Sequence, residues 1–324
     1  MKNLRVREFK RRLRSFFSFF DDLYAYLKIW YIARKDKYVE FGIKGGLGDA
    51  IMGTQFVNNI KSEIPDCKII VFHHDSNDKS DPKKLSYGTV KKYTSSDGSK
   101  IEPIKEWYQS IYDVDEVVSI DKEEYNKKLS FYPHAVGAFL RYRKPEYVKR
   151  VYFEKKFKKF KLNIEASKVN AKIIDLKKNG YKIISIHLRR NIKNIINFAK
   201  KINDQEEKIH FMILGSSEHD PLPKLPEFKS YTSLVDSYKQ NINTIELLSI
   251  ARKSDLVIGG RGGFEMFFWW SAIPSINLFD EYGFFEKDCF MWPRILWKYN
   301  VIKGPFSVLT SEKKLMNCFN KWLN

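Results

Sequence analysis

"YVEFGIKGGLGDAIMGTQFVNNIKSEIPDCKIIVFHH", residues 38–74, reads as strand, glycine turn, helix and second strand. Its closing "CKIIVFH" (67–73) is the unbroken apolar run expected of a strand buried on both faces of a parallel sheet. "DEVVSI" (115–120) reads as a third strand, and the segments between the strands are long enough for crossovers. In the turn, Gly45, Gly46 and Gly48 allow close approach of a substrate to the backbone. No GK[ST] completes a P-loop, and the spacing of the three glycines does not match GxGxxG, so nucleotide hydrolysis and NAD chemistry lose their best support. Asp49 stands immediately after the turn, at a helix N-terminus.

Further along, residues 75–100 are polar, rich in Ser, Lys and Asp and short of apolar periodicity, which predicts a long loop. A lysine- and aromatic-dense stretch, 147–163, precedes a second run of alternation. That run predicts a helix over 166–178, strand 181–188, helix 193–203, strand 208–215, helix 244–253, strand 255–260, helix 262–272 and strand 274–279. The expected organisation is a basic amphipathic helical arm over 1–36, a Rossmann-like domain over 37–163 and a second over 164–305. A C-terminal helix over 306–324 is a candidate for packing back on the first domain. The expected fold class is α/β, with two doubly wound domains facing across a cleft and ligands bound at strand C-terminal edges.

A chain of 324 residues with 43% hydrophobic and 15% aromatic content is a globular protein with room for two domains. Its three cysteines, Cys67, Cys289 and Cys318, are far apart, which argues against a disulfide framework or a structural zinc and for a reducing, cytoplasmic setting. The formal net charge of +19 attracts polyanions: nucleic acid, acidic lipid or a phosphorylated substrate. Part of that charge lies in "MKNLRVREFKRRLR", followed by the aromatic "SFFSFFDDLYAYLKIWYIARK". No run approaches the roughly 18 apolar residues of a membrane span, and no signal-peptide cleavage site follows. An interfacial helix on an anionic membrane fits the arm, as does a helix whose aromatic stripe packs on its own domain.

Three groups can do chemistry. Asp49 either caps its helix or acts as a base. In "SIHLRRN" (185–191), Arg189 and Arg190 follow an apolar strand, where guanidinium forks can neutralise a diphosphate or simply stand exposed on a loop. In "SDLVIGGRGGFEMFFWWSAIPSINLFDEYG" (254–283), Arg261, Gly262 and Gly263 lie between a buried strand and a helix, which makes a backbone anion site. Glu265 sits in the first turn of that helix, where it also suits the helix dipole, while the aromatic residues from Phe264 to Trp270 read as helix core.

The segment over 38–74 resembles bacterial heptosyltransferases and related lipopolysaccharide glycosyltransferases of the GT-B fold. Those proteins open with a strand, a G-x-L-G-D turn, a helix of small and apolar residues, P-x-x-x-I and a second strand. The counterparts here are Gly46, Leu47, Gly48, Asp49, Pro65 and Ile69. The resemblance makes Asp49 the catalytic base. The segment from His187 to Arg190 resembles the H-x-R-R motif of α1,6-fucosyltransferase-like enzymes, which implies donor-phosphate binding by an arginine of the pair. Asn191 replaces the acidic residue common in that group, so the resemblance does not extend to a GDP-fucose donor. Residues near Glu265 in GT-B enzymes often hold the nucleotide's ribose or the sugar.

The expected function is inverting, metal-independent glycosyl transfer from a nucleotide-diphosphate sugar to a hydroxyl of a lipopolysaccharide, capsule or lipid-linked glycan. Asp49 is the expected catalytic residue. His187, Arg189, Arg190, Arg261, Gly262, Gly263 and Glu265 are the expected donor site, and Gly45, Gly46 and Gly48 line the approach of substrate to the backbone. No cofactor beyond the nucleotide-sugar co-substrate is expected, and no nucleic acid, since the charge comes without an RNP, zinc-finger or helix-turn-helix pattern. A basic nucleic-acid-binding protein and a catalytically silent membrane-associated scaffold are the alternatives.

Overall fold

A computed structural model describes residues 27–43, 60–74, 93–111, 113–131, 168–189, 192–217, 227–260, 273–279, 306–307 and 312–324, with positions 47, 50, 54, 57, 222, 225, 267 and 268 between them. The chain divides into two compact units, Met1–Lys91 with Trp107–Lys155, and Lys92–Glu106 with Lys156–Asn324.

In the first unit, β1 (Tyr38–Gly42), β2 (Lys68–His74) and β5 (Glu116–Ile120) form a parallel sheet in that order. Every residue of β2 after Lys68 is buried, as its apolar run requires of a central strand. Helical residues Ala50, Thr54, Val57 and Ile60 recur at spacings of three and four and are all buried. Thr54 accepts a 2.6 Å hydrogen bond from the Trp107 indole, so this polar member of the face is satisfied inside the core. The helix over 27–36 buries Ile29, Trp30, Ile32 and Ala33 and exposes Leu27 and Tyr31, so the end of the predicted arm is half core.

The second unit is a six-stranded parallel sheet built from β6 (Lys182–Leu188), β7 (Ile209–Gly215), β8 (Tyr231–Val235), β9 (Leu256–Gly259), β10 (Ser275–Phe279) and β11 (Phe306–Ser307). The spatial order is β11-β10-β9-β6-β7-β8. Numbered from β6, this is the doubly wound order 3-2-1-4-5-6, in which the chain runs outward in one direction and then restarts on the other side of its first strand. Helix Ile192–Gln205 buries Ile195, Phe198, Ala199 and Ile202 against β6, β7 and β9. Helix Glu312–Leu323 places Leu315 and Phe319 in the same core, and Lys182 Nζ donates to the Leu323 carbonyl at 2.6 Å. The C-terminal helix is therefore a core element of the second unit, where the sequence made it a candidate for covering the first.

The loop expected over 75–100 is corrected over its last part. There β3 (Tyr93–Thr94) and β4 (Lys100–Ile101) pair as an antiparallel hairpin. Two-residue strands leave no periodicity to read, because the turn carries the stability. Gly98 adopts φ +84° and donates to the Ser95 carbonyl, while Asp97 Oδ1 accepts from the Ser95 hydroxyl and from Ser99 N at 3.0 Å. Those bonds, Ser95's foremost, lower the Asp97 pKa to about 2. The hairpin belongs to the second unit, where the Ser96 hydroxyl reaches Asn241 Oδ1 at 2.6 Å and the Tyr93 ring lies 4.9 Å from that of Tyr238.

Candidate active site

In a doubly wound sheet, ligands bind where the strand order reverses, outside the carboxyl ends of the two strands that flank the reversal. Here those strands are β6 and β9, which pair in parallel with Ile186 opposite Ile258. β6 closes on His187 and Leu188 and runs into Arg189, and β9 ends at Gly259, followed by Gly260. Two segments some 70 residues apart, each read from sequence as anion-binding, thus leave neighbouring strands at the switch point.

Alternation along β6 sends Leu188 into the core shared with Ile195 and Phe198, and His187 to the opposite face of the sheet, where it is also buried. Below it on that face, the Ser185 hydroxyl meets Ser254 Oγ at 2.7 Å. Arg189 N donates to the His187 carbonyl at 3.0 Å, which turns the chain as it leaves the strand and leaves the arginine partly exposed at the edge. Arg190, Arg261, Gly262, Gly263 and Glu265 lie outside the described residues. In the helix predicted after the glycines, Phe267 and Phe268 are helical and fully buried.

The same edge carries residues that the sequence reading missed. Gly215 ends β7 against Leu188 of β6; a Cβ there would stand 3.2 Å from the Leu188 carbonyl oxygen, so a larger residue would press the two strands a few tenths of an ångström apart. Asp236, just past β8, has φ 47° and ψ 46°, and its carboxylate accepts from Ser217 N at 2.8 Å, the Ser217 hydroxyl at 2.5 Å and Lys239 Nζ at 3.0 Å. Burial raises its pKa, but the bonds from Ser217 and Lys239 outweigh burial and hold it below the usual carboxylate range. Asp236 thereby ties the ends of β7 and β8 together in a left-handed conformation that aspartate tolerates. Its sequence signal was hidden because β8, "YTSLV", is a half-exposed edge strand with no apolar run.

In the first unit, Asp49, Gly45, Gly46 and Gly48 lie outside the described residues. The ground on either side of them is described. β1 continues into Ile43, buried, whose N–H donates to the Phe72 carbonyl at 2.9 Å, and Ala50 is helical and buried. β1 is present, but Leu47, inside the turn expected from sequence, is already helical, so the helix begins earlier than the sequence suggested. Among the described residues no group of three or more His, Cys, Asp or Glu side chains is arranged to hold a metal ion.

Neither a protein-family model nor a curated protein sequence matches the chain. Solved structures do. Escherichia coli ADP-heptose lipopolysaccharide heptosyltransferase II superposes with a TM-score of 0.51 over 88% of this chain and 98% of its own, at 9% identity. The fold is GT-B. A glycosyl transferase family 9 protein from Veillonella parvula DSM 2008 aligns over 88% of this chain and 97% of its own, with a TM-score of 0.49 and 11% identity. At these identities the likeness concerns the backbone. In GT-B terms, the six-stranded unit is the second Rossmann-like domain, and its switch point is the feature on which function can be argued.

Proposed function

We propose that this chain is an inverting glycosyltransferase that uses a nucleotide-diphosphate sugar. The observation that carries the reading is the adjacency of β6 and β9 at the switch point, since "HLRRN" and "GGRGG" continue from those two strands. A diphosphate in that crevice would meet Arg189 and Arg190 from one side and Arg261 with the amides of Gly262 and Gly263 from the other. His187 and Glu265 complete the proposed donor site, with Glu265 toward the ribose or sugar. The cationic groups stabilise the charge that develops on the leaving diphosphate without a metal ion.

Asp49 is the proposed base. Its carboxylate takes the proton of the acceptor hydroxyl as the oxygen attacks the anomeric carbon, and the bond from that carbon to the diphosphate oxygen breaks with inversion. Asp49→Asn should lower turnover by about 2 to 4 decades while the affinity for donor stays within about twofold, because the carboxylate does not touch the diphosphate. Turnover by stopped assay and donor affinity by calorimetry check it. Near-normal turnover of the folded variant returns Asp49 to a capping role.

The acceptor we propose is a glycan held at an anionic membrane surface. Among the described residues no helix is long and apolar enough to cross a membrane. The helix over 27–36 exposes Leu27 (56%) and Tyr31 (65%) on one stripe beside Lys28, Arg34 and Lys35. It is preceded in sequence by Lys2, Arg5, Arg7, Lys10, Arg11, Arg12 and Arg14, each worth up to about 1 kcal/mol near an anionic bilayer. Since Ile29 and Trp30 are core residues, the informative truncation removes 1–24 and spares them. It should release the protein from phosphatidylserine vesicles and reduce transfer to a lipid-linked acceptor more than donor binding; unchanged vesicle binding removes the arm from the mechanism.

A further inference from the structure

Among the described residues the second sheet ends at β8, which pairs with β7 on one side. Phe211 N donates to the Ser230 carbonyl and Asp236 N to the Gly215 carbonyl, so the even-numbered residues of this stretch turn their peptide groups toward β7. Alternation turns the carbonyls of Tyr231, Ser233 and Val235 the other way, along the rim of the sheet. The segment "SYTSLV" (230–235) has no charge, proline or glycine and is rich in strand formers, a composition that invites a further strand onto an edge. Yet each of those outward carbonyls is met by a side chain of the same unit. Lys172 Nζ, on helix Lys168–Lys178, donates to the Tyr231 carbonyl at 3.5 Å and to the Thr232 hydroxyl at 3.0 Å. Gln240 Nε2 donates to the Ser233 carbonyl at 3.4 Å and to the Val235 carbonyl at 3.3 Å.

Gln240 reaches these carbonyls because the chain doubles back after β8. The 3-10 turn Ser237–Gln240 is bracketed by two residues in the left-handed region, Asp236 at φ 47° and Asn241 at φ 58°. Both are pinned: Asp236 by Ser217 and Lys239, and Asn241 by the Ser96 hydroxyl at 2.6 Å and Asp97 N at 3.3 Å, which donate to its Oδ1. We propose that Gln240 and Lys172 guard the β8 edge, covering its outward carbonyls so that a second copy of this chain cannot add its own β8 there as a further strand. The contacts to the carbonyls are long, so they contribute little to folding; their effect is to occupy acceptors and to hold an ammonium where an incoming strand would lie. The excluded occupant is a second copy because two identical edges can meet about a twofold axis, each presenting the same uncharged segment. Tyr231, 45% exposed, would add apolar area to that contact.

Gln240→Ala combined with Lys172→Ala uncovers all of these carbonyls without touching the ladder to β7. In sedimentation velocity of the full chain, the double variant should self-associate about tenfold or more tightly than the parent, the scale of one or two hydrogen bonds gained. Its melting temperature should stay within about 2 °C, because the side chains removed are exposed. Amide exchange at Ser233 and Val235 should slow as the concentration of the variant rises and be independent of concentration in the parent. Adding Ser233→Pro removes an outward N–H that the β7 ladder does not use, so an incoming strand loses its seat and association should return to the parent's level. Unchanged association in the double variant overturns the proposal, and so does association that survives Ser233→Pro, since it would use another surface. Should the double variant not fold, Gln240→Ala alone uncovers Ser233 and Val235 and is expected to give the same concentration-dependent protection at both amides; its absence overturns the proposal equally.

Discussion

At the amino-terminal edge of the first sheet, Asp115 exchanges two bonds with β2: its N–H donates to the Ile69 carbonyl at 3.0 Å and its carboxylate accepts from Ile69 N at 2.7 Å. Lys61 closes the cluster at 2.9 Å. At the corresponding edge of the second sheet, Asp255 donates to the Ile183 carbonyl at 2.8 Å, accepts from Ile183 N at 2.8 Å and pairs with Lys177 at 2.7 Å. Each aspartate directly precedes its strand, and each isoleucine is the second residue of a strand that reads K-I-I-x-x-H, "KIIVFH" in β2 and "KIISIH" in β6. Yet β2 and β5 are the second and last strands of a simple series, whereas β6 and β9 face each other across a switch point. The clamp therefore belongs to the start of a parallel strand pair, whatever the topology around it. At the carboxyl edges both strands carry a histidine, His73 and His187, but the other described residues differ: Tyr125 bonds the Ile43 carbonyl in one unit, while in the other Gly215 packs on Leu188 and Asp236 ties Ser217 to the end of β8.

The strongest way to separate the units is acid. His210, buried in β7 between the Ser230 and Thr232 hydroxyls at 2.7 and 3.0 Å, has its pKa lowered to about 4 by burial and by the Lys172 charge. An unfolded chain binds that proton near pH 6.5, so between about 6.5 and 4 it takes up a proton that the folded unit refuses. Stability of the second unit should be level above pH 7 and fall as pH drops through this window, by at most about 3 kcal/mol at ~1.4 kcal/mol per pH unit. Amide exchange of β7 and helix Ile192–Gln205 at pH 7, 5.5 and 4.5 measures it, and His210→Gln should flatten the profile. The Asp115 clamp is expected to fail lower. Burial raises that carboxyl's pKa, but the Lys61 and Ile69 bonds hold it below its ordinary value, so its contribution is complete above about pH 4 and lost below.

The equivalence of the clamps can be broken directly. Asp115→Ala and Asp255→Ala each strand a buried isoleucine N–H and a lysine, so each should cost about 1 to 3 kcal/mol in urea unfolding. Costs that differ by more than about 1 kcal/mol would mean that topology, not the local pair, sets the value of the clamp. Smallest is Gly215→Ala, where the strands must part by a few tenths of an ångström. About 1 kcal/mol is expected, together with weaker nucleotide-diphosphate binding, because the move displaces Leu188 and Arg189 at the crevice. Full affinity in that variant would detach the β6 edge from the proposed donor site.

Much of this architecture was legible because a parallel strand covered on both faces must be an apolar run. β2, β6, β7, β9 and β10 were found within a residue or two of their observed limits. β8 was not, since an edge strand is buried on fewer sides and its sequence alternates weakly. Helix Lys122–Phe131 was missed for a similar reason: it is lysine- and glutamate-rich, with the fully buried Tyr125 as its anchor. In the candidate site, "HLRRN" was visible as arginines after a strand, whereas Asp236 carried no local pattern that marked it.

The order of hydrophobic runs and the glycine turns are properties of the chain alone, and they were sufficient for an α/β protein built in two parts. Which strands became neighbours was decided only in three dimensions. Local periodicity records whether a segment is buried, not which partner buries it, and every parallel pair joins residues separated by a crossover. The adjacency of β6 and β9, the two aspartate clamps and the Tyr125 bond to Ile43 all depend on such non-local pairings. Residues that leave the strands at a switch point are therefore written in the sequence one by one, while the adjacency of those strands is a property of the sheet.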